Sequence, residues 1–128
     1  MTEKLLELLN NSYSPYSKFR VAAIAVMKDG TEFKGVNVEN ASYGLCNCAE
    51  RSAIFSAISN GYKRHDFDKL YVMCDTEKLG TPCFACRQVI NEMYERDSEV
   101  ICITNEGKEK SFKVSELCPY PFDDESLN

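Results

Sequence analysis

Leu70-Tyr71-Val72-Met73-Cys74 is a short, unbroken apolar run, followed by Pro82-Cys83-Phe84-Ala85-Cys86 and then by Val100-Ile101-Cys102-Ile103-Thr104. A continuous apolar run of this length suits a strand covered on both faces. Cys86, Val89, Ile90 and Met93 recur at helical spacing, which predicts a helix over Cys83–Tyr94. Val100–Thr104 reads as a second buried strand. Strand, helix and strand in this order argue for a layered α/β protein.

Upstream, Ala49–Ile58 carries Ala49, Ala53, Ile54, Ala57 and Ile58 on one helical face, and Gly61 is the expected stop. Its small residues let it approach a sheet closely. Phe19–Met27 and Phe33–Val38 read as the two strands of a hairpin turned at Asp29-Gly30. Thr2–Leu9 predicts an opening helix with Thr2 as N-cap. Ser14-Pro15-Tyr16-Ser17 is a loop, because proline disfavours helix in the residue before it. Downstream, Lys110–Val114 reads as a weaker strand, and residues 123–128 belong to an acidic tail expected to be disordered. The whole predicts one domain over residues 1–128, a three-layer α/β/α sandwich around a five-stranded mixed sheet.

Bulk properties narrow the function. No apolar run reaches the ~20 residues of a membrane helix, and the N-terminus lacks the form of an export signal. Net charge is −5, with no basic stripe to grip phosphates, which argues against nucleic acid and leaves small neutral substrates. Seven cysteines without an export signal suit a reducing, cytoplasmic setting, where clustered cysteines more often bind metal than pair with one another. Cys74 and Cys102, in apolar runs, read as core, and Cys118 as structural. His65, in Lys63-Arg64-His65-Asp66, reads as a surface residue.

Chemistry concentrates in Cys48-Ala49-Glu50 and Pro82-Cys83-Phe84-Ala85-Cys86, each opening a predicted helix. At a helix start the unpaired N–H groups favour thiolate, the form that binds zinc. Cys48, Cys83 and Cys86 would supply three ligands and leave the fourth zinc position to water, as in a catalytic site. Glu50 lies close enough to exchange protons with that water without ligating the metal. Arg51, and Arg87 as a second candidate, would offset the negative charge of three thiolates by hydrogen bonds to sulfur. Arg51→Ala is expected to keep the metal and move activity to higher pH.

Three ligands, a non-ligand glutamate and Pro-Cys-x-x-Cys are the features of zinc nucleobase deaminases. The sequence resembles the small tetrameric cytidine deaminases over nearly its whole length. The likeness runs from Tyr16-Ser17-Lys18-Phe19 through Asn37–Tyr43, Cys46–Arg51 and Pro82–Val89 to Pro119 and Phe122. It implies one zinc per subunit on Cys48, Cys83 and Cys86, and Glu50 as proton shuttle. Asn37 and Glu39 match the pair that binds the ribose hydroxyls, and Phe19 an aromatic lining the base pocket. The Ala49 backbone would read the pyrimidine edge. Tyr43 and Phe122 match residues that reach into a neighbouring subunit's site in a homotetramer.

The implied reaction is hydrolytic deamination of cytidine or deoxycytidine to the uridine nucleoside and ammonia, in pyrimidine salvage. Water activated at zinc attacks C4 while Glu50 protonates N3.

The likeness has departures. The family usually has glycine where Ala22 stands and a small residue, often glycine, where Phe84 stands, and Pro119-Tyr120-Pro121 replaces a Pro-Gly-x turn. Phe84 would reshape the base pocket or pack against a neighbour. Three other readings stand beside the main one. Cys46 with Cys48, Cys83 and Cys86 could close a four-sulfur structural site. The substrate could be a modified cytidine or a nucleoside antibiotic. Editing of polynucleotides is disfavoured by the charge.

Overall fold

The computed structural model describes residues 1–124. Five strands form one sheet in the order β2-β1-β3-β4-β5. They are β1 (Val21–Met27), β2 (Glu32–Val36), β3 (Phe67–Cys74), β4 (Glu99–Ile103) and β5 (Glu109–Lys113). Only β3 and β4 run parallel; the other neighbours are antiparallel. The helices are α1 (Thr2–Leu8), α2 (Ala49–Ser59), α3 (Phe84–Met93) and the single-turn α4 (Val114–Leu117).

Alternation along β1 sorts the layers. Ala22 and Ile24 join Met73, Ile101 and Ile103 beneath Leu5, Leu8 and Leu9 of α1 and the turn after it. Val21, Ala23 and Ala25 face the other way, with Leu70, Val72, Val100 and Cys102, onto α2 and α3. The period-two side-chain geometry of a strand dictates this split. The three-layer sandwich and mixed sheet read from the sequence are therefore the observed fold. Both Cys74 and Cys102 are buried, as expected, and His65 lies on the surface with its Nδ1 3.0 Å from Glu95.

The layer that carries the site is close-packed. Gly35 of β2 pairs with Ala23 of β1, beneath α2. A Cβ on Gly35 would lie 2.4 Å from the Ala53 nitrogen and 2.5 Å from the Ala49 carbonyl oxygen. Backbone thus meets backbone, and this sets how deep the N-terminus of α2 sits.

Several boundaries differ from the sequence expectation. Thr2 is not an N-cap: it is already helical, and Met1 occupies the cap. The hairpin strands are shorter, because residues 19–20 and 37–38 are drawn into loop contacts. β3 begins three residues earlier than expected, at Phe67. Val114 leaves the last strand to start α4, whose capping glutamate Glu116 accepts the Lys113 N–H. Within the proposed disordered tail, Asp124 pairs with Arg64 at 3.4 Å. Positions 125–128 of that tail lie outside the described residues. No helix among the described residues is long and apolar enough to cross a membrane.

Candidate active site

Two helix starts converge. Cys48 is the N-cap of α2 and Cys83 the N-cap of α3, and the Cys83 sulfur accepts the Cys86 N–H at 3.4 Å. The Cys48 and Cys83 sulfurs are 3.7 Å apart, and those of Cys83 and Cys86 3.4 Å. All three lie within 4.8 Å of one another. Tetrahedral zinc with Zn–S bonds of ~2.3 Å holds its sulfurs ~3.8 Å apart. The donor set fits one zinc ion. Cys46 stands outside this cluster: its sulfur receives the Asn40 N–H at 3.3 Å. A four-sulfur site is thereby disfavoured.

Arg51 donates from Nη2 to the Cys48 sulfur at 3.3 Å. Hydrogen bonding from Cys86, then from Arg51 and Cys83, outweighs burial and draws the Cys48 pKa down to about 5. The Cys86 thiol moves the opposite way, raised by its bond to Cys48 and by burial. Arg87 does not reach the sulfurs, contrary to the second candidate role. Its guanidinium is held by the Pro82 carbonyl at 2.8 Å, the Thr81 hydroxyl at 2.8 Å and the Leu117 carbonyl at 3.1 Å. It ties the segment before Cys83 to the end of α4.

Glu50 is 4% exposed yet lines the cavity beside the sulfurs. Burial pushes its carboxyl up to about 7, with the Cys48 charge adding to the rise. A carboxyl with that value exchanges protons near neutrality.

The cavity has a volume of about 430 Å³, within the range of small-molecule pockets. Phe19, Asn37, Glu39, Tyr43 and Ala49 all line it, with Cys48, Cys83, Glu50 and Arg51. Two residues belong elsewhere. Phe122 is absent from these walls; its backbone pairs with the Gln88 side chain and the residue is 61% exposed. Phe84 is also absent from them: it is 78% exposed, with the Arg87 guanidinium 4.5 Å over its ring. It does not shape this cavity in its own chain.

Cys74, read as core, is both core and wall. Burial and the Glu50 charge raise its thiol to about 11. A Cβ on Gly80 would meet its sulfur at 2.7 Å, so Gly80 makes room for it. Val21, Asn47 and Thr81 are further wall residues that the sequence did not flag. The position of Cys74 at the end of β3, facing the cysteine motif across a loop, was the available signal.

The segment bearing Asn37 and Glu39 is tied to the chain just before Cys48, one of the three clustered cysteines. Val38 exchanges two backbone hydrogen bonds with Asn47, which precedes Cys48. On its other side, Tyr13 and Glu39 bond through backbone at 2.8 Å.

Comparison with known proteins agrees with this geometry. Residues 1–104 match the family model for the cytidine and deoxycytidylate deaminase zinc-binding region. The cytidine deaminase of Halalkalibacterium halodurans is 42% identical over 128 residues, covering 100% of this chain and 96% of the relative. That of Sporosarcina psychrophila is 42% identical, covering 91% and 85%. The crystal structure of cytidine deaminase from Burkholderia pseudomallei superposes with a TM-score of 0.86 at 41% identity, covering 95% and 99%. The Mycobacterium tuberculosis cytidine deaminase structure gives 0.80 at 29% identity, covering 96% and 94%. The chain is an enzyme of the zinc-dependent cytidine and deoxycytidylate deaminase family.

Proposed function

We propose that the protein hydrolyses the 4-amino group of cytidine and deoxycytidine, releasing ammonia and the corresponding uridine nucleoside. The observation that carries this reading is the buried Glu50 carboxyl at the wall of the same cavity as the three-sulfur cluster. When bound by Cys48, Cys83 and Cys86, zinc would lower the pKa of water and so supply a nucleophile at neutral pH.

The chain's own residues do the rest. Glu50 accepts a proton from water and delivers it to N3 of the ring, making C4 electrophilic. The water oxygen adds to C4; Glu50 then takes the proton of the new C4 hydroxyl and passes it to the amino group, so that the C4–N bond breaks, the C4 carbonyl forms and ammonia leaves. Ala49 opens α2, so its N–H has no acceptor within the helix and is free to read the ring edge. Phe19 packs on the base. Asn37 and Glu39 hold the sugar. Arg51 keeps the Cys48 sulfur from building excess charge.

The enzyme works as a cytoplasmic homotetramer in pyrimidine salvage, without nucleic acid or membrane partners. Tyr43 and Phe122 are 78% and 61% exposed, which supports a role for both at shared sites between subunits. The test is ammonia release by the zinc-loaded protein from cytidine, deoxycytidine and free cytosine. Both nucleosides should react and the free base should not. No release from either nucleoside would refute the proposal.

A further inference from the structure

Asn37 and Glu39 are almost consumed by the protein itself. The Asn37 Oδ1 accepts the Ser12 hydroxyl at 2.5 Å and the Val21 N–H at 3.0 Å, while Nδ2 donates to the Phe19 carbonyl at 2.7 Å. An amide offers two donors and two acceptor directions. One N–H remains. The Glu39 Oε1 accepts the Tyr16 and Ser17 N–H groups, both at 3.1 Å, and its Oε2 accepts the Ser17 hydroxyl. A carboxylate has about four acceptor directions, so one remains. Ser17 reaches further: its hydroxyl oxygen also accepts the Phe19 N–H at 3.0 Å.

The segment that supplies these contacts is built for it. Lys18 has φ +61°, a left-handed conformation that a side chain other than glycine adopts at a cost. The turn it closes is the one whose Tyr16 and Ser17 N–H groups meet the Glu39 carboxylate. Hydrogen bonds from Ser17 also hold that carboxylate below its ordinary pKa.

We infer that Ser17 and Ser12 are positioning residues for sugar recognition, Ser17 acting through Glu39 and Ser12 through Asn37. They leave one donor and one acceptor facing the cavity, the complement of a single hydroxyl. This rests on the reading of Asn37 and Glu39 as the sugar-binding pair.

The experiment is steady-state turnover of cytidine by zinc-loaded protein in a double-mutant cycle of Ser17→Ala and Glu39→Gln, with Ser17→Thr and Ser12→Ala alongside. Ser17→Ala should raise KM about 5- to 10-fold and leave kcat within about 2-fold, the range of one ordinary intramolecular hydrogen bond. Ser17→Thr should restore KM. In the Glu39→Gln background the added effect of Ser17→Ala should fall below about 2-fold. Ser12→Ala should raise KM with kcat kept. Equal effects of Ser17→Ala in both backgrounds, or a fall in kcat at unchanged KM, would overturn the inference. If Glu39→Gln leaves KM unaltered, the sugar-binding role of Glu39 fails instead. Wild-type protein that does not deaminate cytidine refutes the proposed function and not this coupling.

Discussion

Glu50 owes its raised pKa to where α2 begins, since burial is the leading cause. Glu50→Gln removes the carboxyl proposed as proton shuttle and keeps the volume. It should retain stoichiometric zinc by elemental analysis and turn over at least ~100-fold more slowly. Near-normal turnover would exclude the shuttle. Cys46, outside the sulfur cluster, and Cys83, inside it, should separate cleanly. Cys46→Ser should keep zinc and activity, and Cys83→Ser should lose both, because the Cys83 sulfur, unlike that of Cys46, belongs to the three-sulfur cluster, 3.7 Å from Cys48 and 3.4 Å from Cys86. At this scale much was legible in the sequence: cysteine spacing and a glutamate two residues on point to one chemistry. Arg87 was not legible. Its place after the motif is the same whether it faces sulfur or the Leu117 carbonyl, and only the packing of α4 decides. Cys74 was half legible, because an apolar run says "buried" without saying that one end borders a cavity.

Helix α2 brings its first turn to the cavity because β2 offers it no side chain at Gly35. Gly35→Ala places a methyl against the Ala53 nitrogen and the Ala49 carbonyl, neither of which is a flexible side-chain end. It should destabilise the fold by about 1–3 kcal/mol, the usual cost of overpacking, or more. A thermal scan would show a midpoint several degrees lower, and an unchanged midpoint would contradict the close approach. Helices α2 and α3 were legible from their helical spacing, and β3 and β4 from their unbroken apolar runs. The single turn of α4 was not, since four residues are too few to show a period. The early start of β3 was missed for a similar reason: charged Asp68 and Lys69 interrupt the apolar pattern.

Across the molecule, Asp75 joins the start of β1 to the chain after β4. Its carboxylate accepts Arg20 at 2.7 and 2.9 Å and Asn105 at 3.2 Å. Hydrogen bonds from Arg20 and Asn105 lower its pKa below the ordinary 3.8. A depressed carboxylate contributes stability above its unfolded value, and that contribution is lost as pH falls through the folded one. Asp75→Asn should therefore be less stable than wild type at neutral pH by denaturant titration. The gap should shrink below about pH 4. A gap independent of pH would refute the linkage. The three-layer plan was legible from element order alone, whereas this tie between chain segments far apart in sequence was not. Spacing carries no information about contacts that only the folded sheet creates.

Two of the sulfurs in the cluster sit one helical turn apart, and the third lies 35 residues away. An unravelled chain can offer a passing ion little more than the Cys83–Cys86 clip, a grip of two teeth. The finished sandwich offers three and thus wins the contest for metal. By mass action every tenfold rise in free zinc above the dissociation constant favours the native form by ~1.4 kcal/mol. The ion arrives as a lock on a shape that the apolar layers have already chosen. Stripping it with a chelator should lower the melting temperature while leaving the far-ultraviolet dichroism of the cold protein intact.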